Sequence, residues 1–145
     1  MIDGRQPKTK LMSRLMRYLR VRRLENVLST IYSGKLGVDE IAALSPLVSA
    51  SATTDKVCRE ILNKAGVTLA ELACVVARRL EMAHDVFPIV LVGGTYKSGR
   101  YLLQPLRARV RKECPRARVK IMRIEPALGA FSIAVSELGR FKLRR

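Results

Sequence analysis

Residues 87–106 read FPIVLVGGTYKSGRYLLQPL, and this stretch limits the fold more than any other. Ile89 to Val92 is an unbroken apolar run rich in β-branched residues, the composition of a strand buried on both faces in a parallel sheet. Gly93 and Gly94 stop it, and an amphipathic segment follows from about Arg100 to Lys112. Pro105 fits such a helix only in or near its first turn. Arg118 to Met122 then alternates Val119 and Ile121 with Arg118 and Lys120, which predicts a second strand. A strand, a crossover helix and a strand prescribe a right-handed parallel pair. Glu125 and Pro126 open a last helix carrying Ala127, Leu128, Phe131, Ala134, Val135 and Leu138.

Everything upstream of Asp85 reads as helix. Leu11, Leu15, Tyr18 and Leu19 place a first helix over about Thr9 to Arg20, and a second runs from about Leu24 to a stop at Gly34. Asp39 is the expected N-cap of a short third helix, and Pro46 begins another. Asp55 caps a fifth, with Val57, Ile61 and Leu62 facing inward and Gly66 ending or bending it. Leu69, Leu72, Ala73, Val76 and Leu80 give the strongest helical period in the chain. The expected organisation is one α/β domain over 1–145, mainly helical to 84 and strand–helix–strand–helix over 85–139. Two strands alone make a poor sheet, so part of a larger fold is expected to be missing.

Charge narrows the function classes. The formal net charge is +16, concentrated at the two ends: residues 1–23 hold eight Lys/Arg against one acid, and residues 97–123 hold ten against one. If those segments meet in space, they form one basic surface, suited to a phosphate backbone or to an acidic partner. With 5% aromatic residues, sequence-specific nucleic-acid reading is disfavoured. No apolar run approaches the ~20 residues of a membrane helix, so a soluble, cytoplasmic protein without membrane association is expected. Cys58, Cys74 and Cys114 are widely spaced and accompanied only by His84, too few for a zinc site and odd for a disulfide framework. Cys58 and Cys74 read as small buried residues, and His84 as a residue after a helix end.

A strand ending in Gly-Gly before a helix suits a ligand that approaches the backbone at the carboxyl end of a sheet, although such a pair also serves simply as a turn. Neither G-x-x-x-x-G-K-[ST] nor G-x-G-x-x-G occurs, so any nucleotide is held in another way.

VLVGGTYKSGRYLLQPLRARV followed by ARVKIMRIEPALGAFSIAVSELG resembles the C-terminal part of the BadF/BadG/BcrA/BcrD-type ATPases, in the N-acetylglucosamine-kinase-like branch of the actin, hexokinase and Hsp70 superfamily. DGRQPKTKLMSRLMRYL and YSGKLGVDEIAALSPLV resemble the same branch in order and spacing, so the likeness covers nearly the whole chain. The resemblance implies a partial ribonuclease-H-like, actin-like ATPase domain that binds ATP with Mg²⁺. It places Gly93 and Gly94 in the adenosine motif, with Thr95 and Tyr96 where the family has an apolar residue and an aromatic. Lys97 and Ser98 stand in the stretch that approaches phosphate or ribose, unless Lys97 is simply a solvent-facing turn residue; Gly99 supplies a turn. Gly129 and Ala130 match a connecting segment where two helices cross closely at an interdomain hinge. Asp3, Gly4, Pro7 and Thr9 match a segment passing near the nucleotide.

The same likeness implies an absence. The family's D-x-G-x-T phosphate hairpin, its second phosphate hairpin and its catalytic aspartate have no counterpart here, so no catalytic or metal-ligating residue is assigned. Phosphoryl transfer rests on positioning and charge stabilisation, and without those groups the chain alone is not expected to be a kinase. The Ile89–Val92 strand would also lack its family neighbour, and an apolar open edge recruits a partner. That partner is expected to be a separate N-terminal half or a second copy of the chain. The alternatives are a basic nucleic-acid-binding protein or a self-associating domain without a ligand.

Overall fold

The computed structural model describes residues 9–33, 36–122 and 126–142, and for 24, 28, 38, 95, 126 and 138–142 it describes the backbone alone. The order is α1 (Lys10–Tyr18), α2 (Leu24–Tyr32), α3 (Val38–Ala42), α4 (Ser45–Ser51), α5 (Lys56–Arg79), β1 (Pro88–Leu91), a 3₁₀ turn (Thr95–Ser98), α6 (Arg100–Glu113), β2 (Arg118–Ile121) and α7 (Pro126–Lys142). The expected mostly helical chain with two parallel strands is thus observed. Ile89 stands opposite Val119 and Leu91 opposite Ile121, with α6 as the crossover.

The core is the α5–α6 interface. The face that α5 turns inward is Cys58, Leu62, Gly66, Ala70, Cys74 and Ala77, mostly small residues four apart, which lets α6 approach closely. Leu102, Leu106 and Val110 of α6 are buried in the same cluster, and Ile89, Leu91 and Val119 pack on it from the sheet. Each fully buried leucine contributes roughly 2 kcal/mol, and this seam is the most extensive element contact among the described residues. Arg109 bridges Glu71 at 3.0 Å and Glu113 at 2.6 Å, and Arg78 reaches Glu113 at 2.7 Å, a network joining the two helices along the rim of the seam.

Five features differ from the sequence expectations. Gly66 does not end α5: the helix runs through it, and a glycine is needed there because the Leu102 carbonyl of α6 sits 2.3 Å from where a Cβ would be. Pro105 lies in the second turn of α6, not the first; its ring rests against Gly66, and the glycine supplies the space. Asp39 is in the first turn of α3 while Gly37 occupies the N-cap. Leu62 of α5 faces the core as expected, but other large apolar residues of the helix face outward: Ile61 is exposed, Leu72 is 60% exposed and Val76 56%. Small residues take most of the inner face because they allow the close approach of α6. β1 differs in the same way, since Ile89 and Leu91 turn inward while Val90 and Val92 are exposed.

Asp55 ties the amino-terminal helices to this core. Its Oδ1 accepts from the backbone N–H of Val57 at 3.0 Å and of Cys58 at 3.4 Å, capping α5 as expected. Its Oδ2 accepts from Lys10 N–H at 2.8 Å and from the Thr9 hydroxyl, while Thr9 Oγ1 itself caps α1 by accepting from Leu11 N–H. One carboxylate thereby closes two helix starts. The Thr9 hydroxyl, followed by the backbone donors, holds the Asp55 carboxyl below its usual range against the opposing effect of burial. Arg14 on α1 adds a bond to the buried Ser51 hydroxyl of α4 at 2.9 Å.

Candidate functional site

The chain turns sharply where β1 ends. Gly93 adopts φ +81°, a conformation that disfavours any residue with a Cβ, whereas Gly94 sits at φ −84°, ψ −22°, which every residue tolerates. Among the described residues, and apart from its chain neighbours, neither glycine meets an atom within 4 Å of a Cβ position. Gly93 is therefore explained by its backbone turn. Gly94 is explained by no contact or strained conformation among the described residues. The following 3₁₀ turn carries Thr95 to Ser98 and ends at Gly99, whose φ +75°, ψ −156° is a glycine conformation. Gly99 thus supplies the turn expected of it.

This turn leans on α4, and between them opens a cleft of about 770 Å³ lined by Ala42, Ala43, Ser45, Pro46, Ser49, Gly94, Lys97 and Ser98. Three of the five expected cofactor-contacting residues, Gly94, Lys97 and Ser98, come together on it. Gly93 adjoins it in sequence, and the Thr95 side chain lies outside the described residues. Lys97 is exposed while Ser98 is buried at the base of the turn. The opposite wall, from Ala42 to Ser49, was not singled out residue by residue, although it lies within the YSGKLGVDEIAALSPLV stretch on which the resemblance partly rests. The lining offers bare backbone, one ammonium and serine hydroxyls, a set suited to a polar anionic ligand. No carboxylate lines it, and no group of three or more His, Cys, Asp or Glu side chains among the described residues would hold a metal ion.

Other expected site residues lie elsewhere. Tyr96 faces away from the cleft into a second, apolar groove of about 260 Å³ between β1, α5 and α6. Thr9 is committed to Asp55, and Asp3, Gly4 and Pro7 fall outside the described residues. Gly129 and Ala130 are exposed on α7, and nothing lies within 4 Å of a Cβ at Gly129, so no close helix crossing is formed there among the described residues. Cys58, Cys74 and Cys114 are all buried free thiols, and burial, with Cys114 beside it, pushes Cys74 up to about 12. His84 is exposed, and its carbonyl accepts from Arg116 at 3.3 Å.

Among the described residues, the basic side chains of the 97–123 segment are spread over more than one face. Arg118 and Lys120 stand on the outer face of the sheet, opposite the side on which Ile89, Leu91 and Val119 meet the core, whereas Arg107 and Arg111 are exposed on α6. Arg78 and Arg109 are spent on the ion-pair network. No helix among the described residues is long and apolar enough to cross a membrane.

No family model matches the chain. It is 29% identical over 136 residues to an N-acetylmuramic acid/N-acetylglucosamine kinase of Clostridium acetobutylicum, a match covering 93% of this chain and 44% of that protein. The chain is therefore related to a sugar kinase at low identity and spans less than half the length of the curated relative it matches.

Proposed function

We propose that the chain forms the adenosine-side portion of an N-acetylglucosamine-kinase-like ATPase of the BadF/BadG/BcrA/BcrD type, built on the ribonuclease-H-like fold of actin-like ATPases. The observation that carries this reading is the single cleft that gathers Gly94, Lys97 and Ser98 against the Ala42–Ser49 segment. The relation to a sugar kinase supports it from the sequence side. On this reading Gly93 and Gly94 offer bare backbone to the nucleotide, Lys97 offsets phosphate charge, and Ser45, Ser49 and Ser98 supply hydroxyls. ATP would bring the transferable phosphoryl group. The lining residues do not fit a resident Mg²⁺, because a hard cation needs oxygen ligands with charge and none of them is a carboxylate. Phosphoryl transfer is therefore assigned to a complex with an N-terminal half, and this chain alone binds without turning over.

Calorimetric titration of the purified chain with ATP, with and without Mg²⁺, tests the reading. Gly94→Val is the discriminating variant: its backbone conformation admits valine and the space around it is open, so the new side chain obstructs only a ligand. Saturable binding that disappears in Gly94→Val, at an unchanged unfolding midpoint, is the expected result. Absence of binding to the unaltered chain, or equal affinity in the variant, contradicts it.

A further inference from the structure

The face of α6 turned away from the core carries cations and no acid. Arg100, Gln104, Arg107 and Arg111 are all exposed, and at 3.6 residues per turn they fall within about 60° of one another along about 16 Å of helix. Lys112 is exposed beside Arg111. None of these cations takes part in an ion pair among the described residues, because the carboxylates of α5 and α6 are committed elsewhere: Glu71 and Glu113 to Arg109 and Arg78, and Glu60 to Lys56. Arg100 lies 4.8 Å over the Tyr101 ring and donates to its hydroxyl at 2.9 Å, which holds the guanidinium in place. Folding alone does not favour this arrangement. Like charges four residues apart, as at Arg107 and Arg111, oppose the helix, and so does Arg100 in the first turn, where the macrodipole is positive and no acid stands. The stripe becomes favourable when an array of anions covers it.

We infer that the outer face of α6 binds the phosphate backbone of a duplex nucleic acid without reading its sequence. A membrane surface suits it poorly, since an interfacial helix inserts its apolar face and that of α6, formed by Leu102, Leu106 and Val110, is buried in the core. A protein partner suits it poorly as well, because such an interface has an apolar centre and α6 exposes no large apolar side chain. A single strand is held largely by stacking, and Tyr101, the aromatic residue of this helix, already has Arg100 over its ring. A duplex asks only for cations along a line. Over about 16 Å it presents about ten phosphate charges, which guanidinium groups engage as two-pronged donors. The stripe is separate from the cleft, and the inference stands whether or not the cleft takes a nucleotide.

The probe is a fluorescein-labelled duplex of about 20 base pairs and arbitrary sequence, prepared as DNA and as RNA, titrated with the full chain by anisotropy at several salt concentrations. Binding to at least one form should saturate, weaken steeply with salt and be equal for a scrambled sequence. Arg107→Gln/Arg111→Gln keeps helix propensity, so its unfolding midpoint should be unchanged while two phosphate contacts are lost. Its affinity should fall by about tenfold or more, and the slope of log K against log salt should flatten by about two. Arg118→Gln/Lys120→Gln removes the same charge from the outer face of the sheet and should leave that slope unchanged. No binding to either duplex, equal losses in the two double variants, or tighter binding to a single strand, to phosphatidylserine vesicles or to polyglutamate than to the duplex would each overturn the inference.

Discussion

Replacing Gly66 by alanine probes the seam on which every other feature depends. The new Cβ would stand 2.3 Å from the Leu102 carbonyl oxygen and 3.1 Å from Pro105 Cγ. The oxygen belongs to the backbone of α6 and cannot swing aside, so α6 must withdraw by about 1 Å. Gaps of that size forfeit a quarter to a half of the dispersion well for the contacts concerned, here those of Leu102, Leu106 and Val110. Overpacking of this kind costs about 3 kcal/mol at the upper end of its ordinary range. Alanine regains about 1 kcal/mol of helix propensity, leaving a net loss of about 2 kcal/mol. For a domain of 145 residues that corresponds to a fall of about 6 °C in Tm. Thermal and urea unfolding followed by circular dichroism measure it, with Asn63→Ala on the exposed side of α5 as the propensity control. If Gly66 were merely a helix interruption, alanine would stabilise by about 1 kcal/mol, and that sign would refute the packing account.

Asp55→Ala should cost about 2 kcal/mol at neutral pH, the upper range for a lost N-cap, because two helix starts lose their acceptor together. The folded carboxyl titrates below its usual value of 3.8, so its contribution is complete above the unfolded pKa and is lost as pH falls through the lower folded value; denaturation midpoints across that acid window should fall less steeply in the variant. Gly99→Ala should destabilise by about 1–3 kcal/mol although nothing occupies its Cβ position, whereas Gly94→Ala should be close to neutral, and paired urea melts compare them. Cys58, Cys74 and Cys114 should react with a thiol reagent only at the rate of unfolding at pH 8, which stopped-time labelling with mass readout checks; fast labelling of Cys74 would contradict its burial.

Local order was legible because it is written in caps and breakers. Asp55, Thr9 and Pro46 mark helix starts that short-range chemistry enforces, and the β1–Gly-Gly–α6–β2 sequence follows from alternation and a crossover. The orientation of α5 was not legible, because periodicity tells which residues share a face and not which face meets a neighbour. Gly66 reads as a helix breaker until α6 is seen to press on it through Leu102 and Pro105. The cleft was half legible: the Gly94–Ser98 side announces itself through its glycines, but Ser45 and Ser49 come to it from a helix some fifty residues earlier, and no local pattern links the two. Tyr96 shows the limit of residue-by-residue transfer, since it adjoins the cleft in sequence and faces the apolar groove in space.

The central claim is that the cleft between the 3₁₀ turn and α4 takes a nucleotide. Amide chemical-shift mapping of the labelled chain during titration with ADP tests it most directly. The account predicts that Gly94, Lys97 and Ser98 move together with Ser45 and Ser49 and saturate along one isotherm. Shifts confined to scattered exposed Lys and Arg, or none at saturating ADP, would contradict it.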